Sequence, residues 1–305
     1  MFRPALRMTA AVVTVSNDRV RRHIWTLWLV LLLPIMRAQA QDRVELRPTP
    51  DSMVAQITLR DGSTLLGRVL EVTSSSVRFA SAVGESTIPR STIISVRLVH
   101  RSGLHEEGLW PEDPSRTRLL FAPTGRMMRS DETYFTEAEL FFPSFQFGIT
   151  DQISMGVGAS VFPGVGIADQ IFYVTPKVGV YQSPNVNVAV GALIAGAKWL
   201  VAQSPVGIGY GVATLGSEDN SLTVGGGVGY GNKKAGASLL MVGGTTRVSK
   251  GISLVTENYA DLSNGGALWS GGVRFIGERL SVDAALFGVT SAAVAIPYLA
   301  FIYRY

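Results

Sequence analysis

From residue 117 to its end the chain repeats one device: segments of about ten residues in which apolar residues alternate with small or polar ones. A period of two marks a strand with unlike faces, and about ten residues is the length of a strand that crosses a bilayer at a tilt. The pattern predicts twelve segments, near 117–123, 137–149, 153–162, 171–182, 186–196, 205–215, 221–230, 236–247, 252–260, 266–277, 280–288 and 296–305. Tight turns are expected at Thr150-Asp151-Gln152, Ser183-Pro184-Asn185, Ser217 to Asn220, Ser249-Lys250-Gly251 and Glu278-Arg279. The connections between them, such as 124–136, 163–170 and 289–295, are mostly longer. An even strand count with short turns at one end and longer loops at the other is the pattern of a transmembrane β-barrel whose short turns are periplasmic.

The last segment carries the same message. Leu299, Phe301, Tyr303 and Tyr305 alternate with Ala300, Ile302 and Arg304. On an open sheet this would be an apolar edge inviting aggregation. In a closed barrel it completes the wall and sets aromatic residues at the membrane interface. The four residues are therefore read as the C-terminal strand that engages the barrel-assembly machinery, with outer-membrane lipid as the other partner.

Hydrophobic residues make up 47% of the chain and charged residues 16%, against roughly 25% charged in a soluble domain. Ile24 to Met36 is apolar, follows Arg21-Arg22, and precedes a small-x-small site at Ala38-Gln39-Ala40. That is the layout of a secretory signal peptide over residues 1–40, and the apolar run is too short for a membrane anchor. With no cysteine, the exported chain has neither a disulfide nor a lipid attachment site.

After a short linker, 41–51, residues 52–99 form a second domain. Val54 to Arg60 alternates into the hairpin signal Asp61-Gly62. Strands follow at Leu65–Val72 (with Gly67 a bend or bulge), Val77–Phe79, Ser86–Ile88 and Ile94–Leu98, with a helical turn at Pro89-Arg90-Ser91. Five short strands in so few residues predict a small five-stranded β-barrel. Through Leu59-Arg60-Asp61-Gly62, Gly67-Arg68-Val69 and Ile88-Pro89-Arg90-Ser91 it resembles the Sm-like small-barrel domains. Arg60, Arg68, Arg78, Arg90 and Arg97 alternate with core positions as a solvated face, and export leaves little nucleic acid to meet, so none is expected as a partner. Residues 100–116, with His100, His105, Pro111 and Pro114, read as a linker without zinc spacing.

Within residues 117–305 the outer face is assigned to Ile153, Met155, Val157; Val186, Val188, Val190; Val206, Ile208, Tyr210, Val212; Trp269, Val273, Phe275; and Leu280, Val282, Leu286. Gly156, Gly158, Gly207, Gly209, Gly211, Gly225, Gly227 and Gly229 fall inward. Phe145 and Phe147 share parity with Glu139, a conflict that a bulge at Pro143 would relieve. The inner face carries Lys177, Glu257, Arg274, Asp283 and Arg304. The last four alternate in sign on consecutive strands, which fits a structural ion-pair ladder or a charged constriction.

No histidine follows His105, so a serine nucleophile in the barrel lacks its usual base. An enzyme is not expected, and no cofactor is implied. The loops are too short to fill the lumen, which argues against a plugged transporter. Through Phe121-Ala122-Pro123-Thr124, Thr175-Pro176-Lys177-Val178-Gly179, Val255-Thr256-Glu257-Asn258, Arg274-Phe275-Ile276-Gly277-Glu278 and Ile296-Pro297-Tyr298, the large domain resembles poorly characterised outer-membrane barrels of Bacteroidetes-like bacteria. That likeness implies the fold and no activity. Two functions stay open: a narrow pore for small polar solutes, favoured by the small inward residues, and a non-conducting anchor that presents the small domain to a periplasmic protein or envelope partner.

Overall fold

The computed structural model describes residues 46–305 apart from 52, 106–107, 198–205, 232–233 and 290–293. The signal peptide and the first residues of the linker after it lie outside the described residues. Five strands come first: β1 (Met53–Leu59), β2 (Thr64–Val72), β3 (Ser76–Ser81), β4 (Gly84–Pro89) and β5 (Ile93–His100). They pair antiparallel in the order β4-β3-β2-β1-β5. Alternate residues, among them Ile57, Val69, Val77, Phe79 and Ile88, make the core. Gly62 takes φ +83°, the left-handed conformation the β1–β2 turn needs. Gly67 is not the bulge. A Cβ there would strike the Phe79 ring and the Ala80 carbonyl, and the register shift falls further along, between Val69 and Glu71.

A two-strand hairpin follows, β6 (Leu104–His105) and β7 (Gly108–Leu109). His105 stacks on Trp110 at 3.8 Å. Twelve antiparallel strands then close a ring: β8 (Thr133–Ala138), β9 (Ser144–Thr150), β10 (Ile153–Ala159), β11 (Ile171–Gln182), β12 (Val186–Ala197), β13 (Val206–Gly216), β14 (Asn220–Gly231), β15 (Lys234–Ser249), β16 (Ile252–Asp261), β17 (Ala267–Ile276), β18 (Leu280–Val289) and β19 (Ala295–Arg304). Each pairs with the next, and β19 returns to β8 from Ala300↔Ala138 to Arg304↔Tyr134. Short turns join β9–β10, β11–β12, β13–β14, β15–β16 and β17–β18 at the end where β8 begins and β19 finishes.

The count of twelve holds, but its first two members change. Residues 117–123 are not a wall strand. The segment expected as one strand over 137–149 is instead the end of β8, a turn and β9. Glu139 and Leu140, at φ 56° and 62°, reverse the chain there. That reversal, not a bulge at Pro143, accounts for the parity conflict at Glu139.

Most faces follow the alternation, with Val157, Val190, Leu222, Leu254, Phe275, Leu286 and Leu299 among the exposed apolar residues outside. Strand β13 is inverted relative to expectation. Tyr210 lies opposite Gly191 and Gly227, and Val212 opposite Ala189 and Gly225. Cross-strand partners share a face, so Val206, Ile208, Tyr210 and Val212 point inward, while Gly207, Gly209 and Gly211 lie outside. The physical reason is space. A Cβ on Gly191 would come within 2.4 Å of the Tyr210 hydroxyl, so glycine in the neighbouring strand makes room for the ring.

Candidate functional site: a hairpin seated in the barrel lumen

Residues 111–132, between the β6–β7 hairpin and the wall, run inside the ring. Their sequence suits them to a lumen and not to lipid. Arg116, Arg118, Arg126 and Arg129 place four cations in fourteen residues, a density that a lipid-facing strand would not tolerate. Thr117 to Thr124 doubles back as a tight hairpin, closed by Leu119 N–H to the Ala122 carbonyl at 2.8 Å and Thr124 N–H to the Thr117 carbonyl at 3.0 Å. Its tip, Leu119-Leu120-Phe121-Ala122, has further backbone groups that the hairpin's own bonds leave unpaired, and burial makes such groups costly to leave unmet.

Inward side chains of the wall meet those groups one by one. Glu257 on β16 accepts the Phe121 and Ala122 N–H groups on the same oxygen, Oε2, at 2.9 Å each. Its Oε1 accepts from the Tyr259 hydroxyl at 2.7 Å. Tyr298 donates its hydroxyl to the Leu120 carbonyl at 2.8 Å, and Arg274 donates to the Leu119 carbonyl. Lys177 donates to the carbonyl of Arg126 at 2.6 Å. Gly125 donates to the Thr214 hydroxyl at 2.8 Å and accepts from the Gln182 amide at 2.9 Å.

The charged side chains of the hairpin segment close the network. Arg116 pairs with Glu112 and Glu132. Arg118 donates to Thr136 at 2.7 Å and lies 3.6 Å from Asp283. Asp113 takes an Arg274 nitrogen at 2.9 Å. Glu112 also meets Arg129 and Arg304. Burial pushes the Glu112 carboxyl up, but the surrounding Arg116, Arg129 and Arg304 guanidiniums outweigh it and hold it at about 2.

The five inward charges read from the sequence are thus all at the lumen wall, but they do not form one ladder. Only Arg274 and Asp283 face each other across adjacent strands. Glu257 sits four residues from Ser253, the residue opposite Arg274, and bonds the hairpin instead. Arg304 reaches Glu112, and Lys177 has no carboxylate within ion-pair distance among the described residues. Outside, Leu299, Phe301, Tyr303 and Tyr305 share a face. Phe301, Phe135, Phe145 and Phe147 form a chain of rings 5.2–6.4 Å apart across the β19–β8–β9 seam.

Beyond the hairpin tip the lumen widens into two cavities, of about 690 and 470 Å³, which share Phe121, Pro123, Leu193 and Tyr210. The lumen is therefore stoppered from the short-turn end, by a segment that precedes the wall. Sequence reasoning missed this because it looked for a plug only in the loops. The signal that was available is the arginine density between Arg116 and Arg129.

No protein-family model and no curated protein sequence matches the chain. Among solved structures it is similar to the KdgM porin, at 6% identity and a TM-score of 0.42 over 57% of this chain and 98% of that one. It is also similar to the Acinetobacter baumannii outer membrane protein Omp33, at 11% identity and a TM-score of 0.34 over 57% and 96%. A loop-deletion form of OmpT, an outer membrane protein of Vibrio cholerae, is similar at 13% identity and a TM-score of 0.32 over 83% and 96%. At this depth the likeness bears on neither cargo nor mechanism.

Proposed function

We propose that this chain is an integral outer-membrane barrel that acts as a gated channel for small solutes, shut in the state described by residues 111–132. The apolar outer band, the aromatic seam and the closed ring support a bilayer location, because only a closed barrel satisfies every backbone group in lipid with strands. The gathering of short turns and the C-terminus at one end supports a periplasmic position for residues 53–100. The strand order of that domain, with a 3-10 turn over Arg90–Thr92 before β5, supports the Sm-like reading and a protein or envelope partner there.

The observation that carries the gate is the engagement of the hairpin tip. It is bound through its backbone by single side chains, each a contact that can be released without unfolding the wall. Planar-bilayer recording tests this. The wild type is expected to stay largely closed, and Glu257→Ala, which removes the acceptor of two tip N–H groups, is expected to raise the open probability. The same network also favours a second reading, a permanent stopper in a non-conducting anchor. Silence from a Glu257→Ala protein whose hairpin has become accessible to protease would establish that reading and end the first.

A further inference from the structure

The two cavities beyond the hairpin differ in chemistry. The larger is walled by Leu193, Ile208, Met241, Phe287 and the Phe121 ring, with few polar groups, and its carboxylates are engaged. Glu257 has both oxygens occupied by the hairpin and Tyr259, and Asp261 accepts from Ser263 and Asn264. Water held in such a space needs two to four polar partners, which this wall does not provide. Phe121, at the hairpin tip, keeps 59% of its surface exposed although it lies inside the barrel. A large apolar surface left open in a confined space is a surface prepared for an apolar occupant.

The smaller cavity is basic. Lys177 and Arg118 line it, and no carboxylate does. Lys177 is 7% exposed and spends its known hydrogen bonds on two backbone carbonyls, those of Arg126 and Thr117, so its charge is not neutralised by a neighbouring acid. Arg118, 9% exposed, lies 3.6 Å from Asp283 and leaves its Nε without a hydrogen-bond partner. A buried cation with no carboxylate partner, as at Lys177, favours an anion. The cavities share Phe121, Pro123, Leu193 and Tyr210 in their walls and so adjoin each other, which puts the Lys177 end and the apolar end within reach of one elongated molecule. Their volumes fall in the roughly 300–1,000 Å³ range of small-ligand sites.

We infer that the joined cavities form a binding site for a long-chain carboxylate, with its headgroup at Lys177 and its alkyl chain against Leu193, Ile208, Met241 and Phe287. The site deepens the channel reading by naming the solute class, and rests on it only in supposing that the cavities lie on a path through the barrel.

The test is displacement of fluorescent cis-parinarate from the full-length mature protein held in amphipol. Saturable binding is expected, with displacement by palmitate and at least roughly tenfold weaker displacement by cetyltrimethylammonium, which has the same chain and the opposite charge. Lys177→Gln is expected to remove that preference. Leu193→Trp, which fills the junction, is expected to abolish binding while the folded barrel persists on unheated gels. Absence of saturable binding, equal competition by the cationic amphiphile, or undiminished binding by a folded Leu193→Trp protein would each overturn the proposal. Should Lys177→Gln fail to fold, the headgroup preference of the wild type decides the question alone. Palmitate bound by a barrel that Glu257→Ala does not open refutes the gate and leaves the site. A barrel that opens yet binds neither amphiphile does the reverse.

Discussion

Arg274 on β17 and Asp283 on β18 stand opposite each other in register and form a two-pronged pair, with Nε and Nη2 at 2.6 and 3.0 Å from the two carboxylate oxygens. Arg274 is fully buried, and its remaining hydrogens go to Asp113 and to the carbonyls of Ser115 and Leu119. One guanidinium thus ties the wall to the segment inside it. Removing it takes the ion-pair partner from Asp113 and leaves Asp283 only the longer 3.6 Å contact to Arg118, where water has little access, and breaking such a pair costs about 3–5 kcal/mol. Arg274→Ala should lower the temperature at which the folded band is lost on gels. Removing Asp283 as well should recover part of the loss. Glu257, on the strand at the other side of Arg274, is seated at another depth and should not rescue. An unchanged transition in Arg274→Ala would mean that lumen water already solvates the pair.

Acid should loosen the stopper through Glu112. Its carboxyl is held at about 2, against 4.5 for the free side chain. A carboxyl whose value is depressed by folding stabilises the fold fully above the unfolded value, and that contribution fades as pH falls through the folded value. Between about 4.5 and 2 the segment should therefore become progressively easier to displace. Pepsin, which works in this window, should cut within residues 111–132 more readily as pH drops, leaving the wall intact. Glu112→Gln should flatten the profile, and a profile equally steep in that variant would assign the effect to another acid.

The wall was legible in the sequence because lipid outside and a lumen inside impose a strict period of two. From Ile153 onward each of the ten expected segments corresponds to a strand, within three residues at either end. The period says nothing about what a segment pairs with. Thr117 to Pro123 alternates well enough for a strand, and it does make a hairpin, but with itself. The six-residue β8 is too short and too polar, as Thr-Tyr-Phe-Thr-Glu-Ala, to announce itself. Strand β13 misled for a related reason. Val-Gly-Ile-Gly-Tyr-Gly reads as apolar outside and small inside, whereas the lumen beside it is itself apolar. Only the pairing of Tyr210 with two glycines fixes the face. The inward charges were visible as residues, and their partners were not, because those lie far away in sequence.

The end of β19 should matter more to assembly than to final stability. Tyr305 N–H donates to the Thr133 carbonyl at 3.1 Å, at the seam where the barrel closes, and its ring meets Tyr303 edge-on at 5.4 Å. One such hydrogen bond contributes about 1 kcal/mol, so a barrel lacking Tyr305 should melt within a few degrees of the wild type once formed. The yield of folded protein in outer membranes should nonetheless drop severalfold if the terminal aromatic is what the assembly machinery reads. Normal yield would remove that role.

Gly125 offers the sharpest test of the seated segment. It follows the hairpin where the chain lies against β12 and β13, and an added Cβ would come 2.0 Å from the Asn187 carbonyl oxygen and 3.1 Å from the Thr214 nitrogen. Both are backbone atoms of paired wall strands, which cannot retreat without breaking the ladder. The wall is held along its length by neighbours on both sides, whereas the segment is held by single contacts, so the segment must yield. Overpacking of this kind costs about 1–3 kcal/mol, enough to shift it without unfolding the barrel. Gly125→Ala should keep its heat-shifted gel mobility yet expose Arg126, now 6% exposed, to trypsin. Gly209→Ala serves as the control, because a Cβ there meets nothing within 4 Å. Equal trypsin resistance in the two variants would mean that the segment does not rest on Asn187.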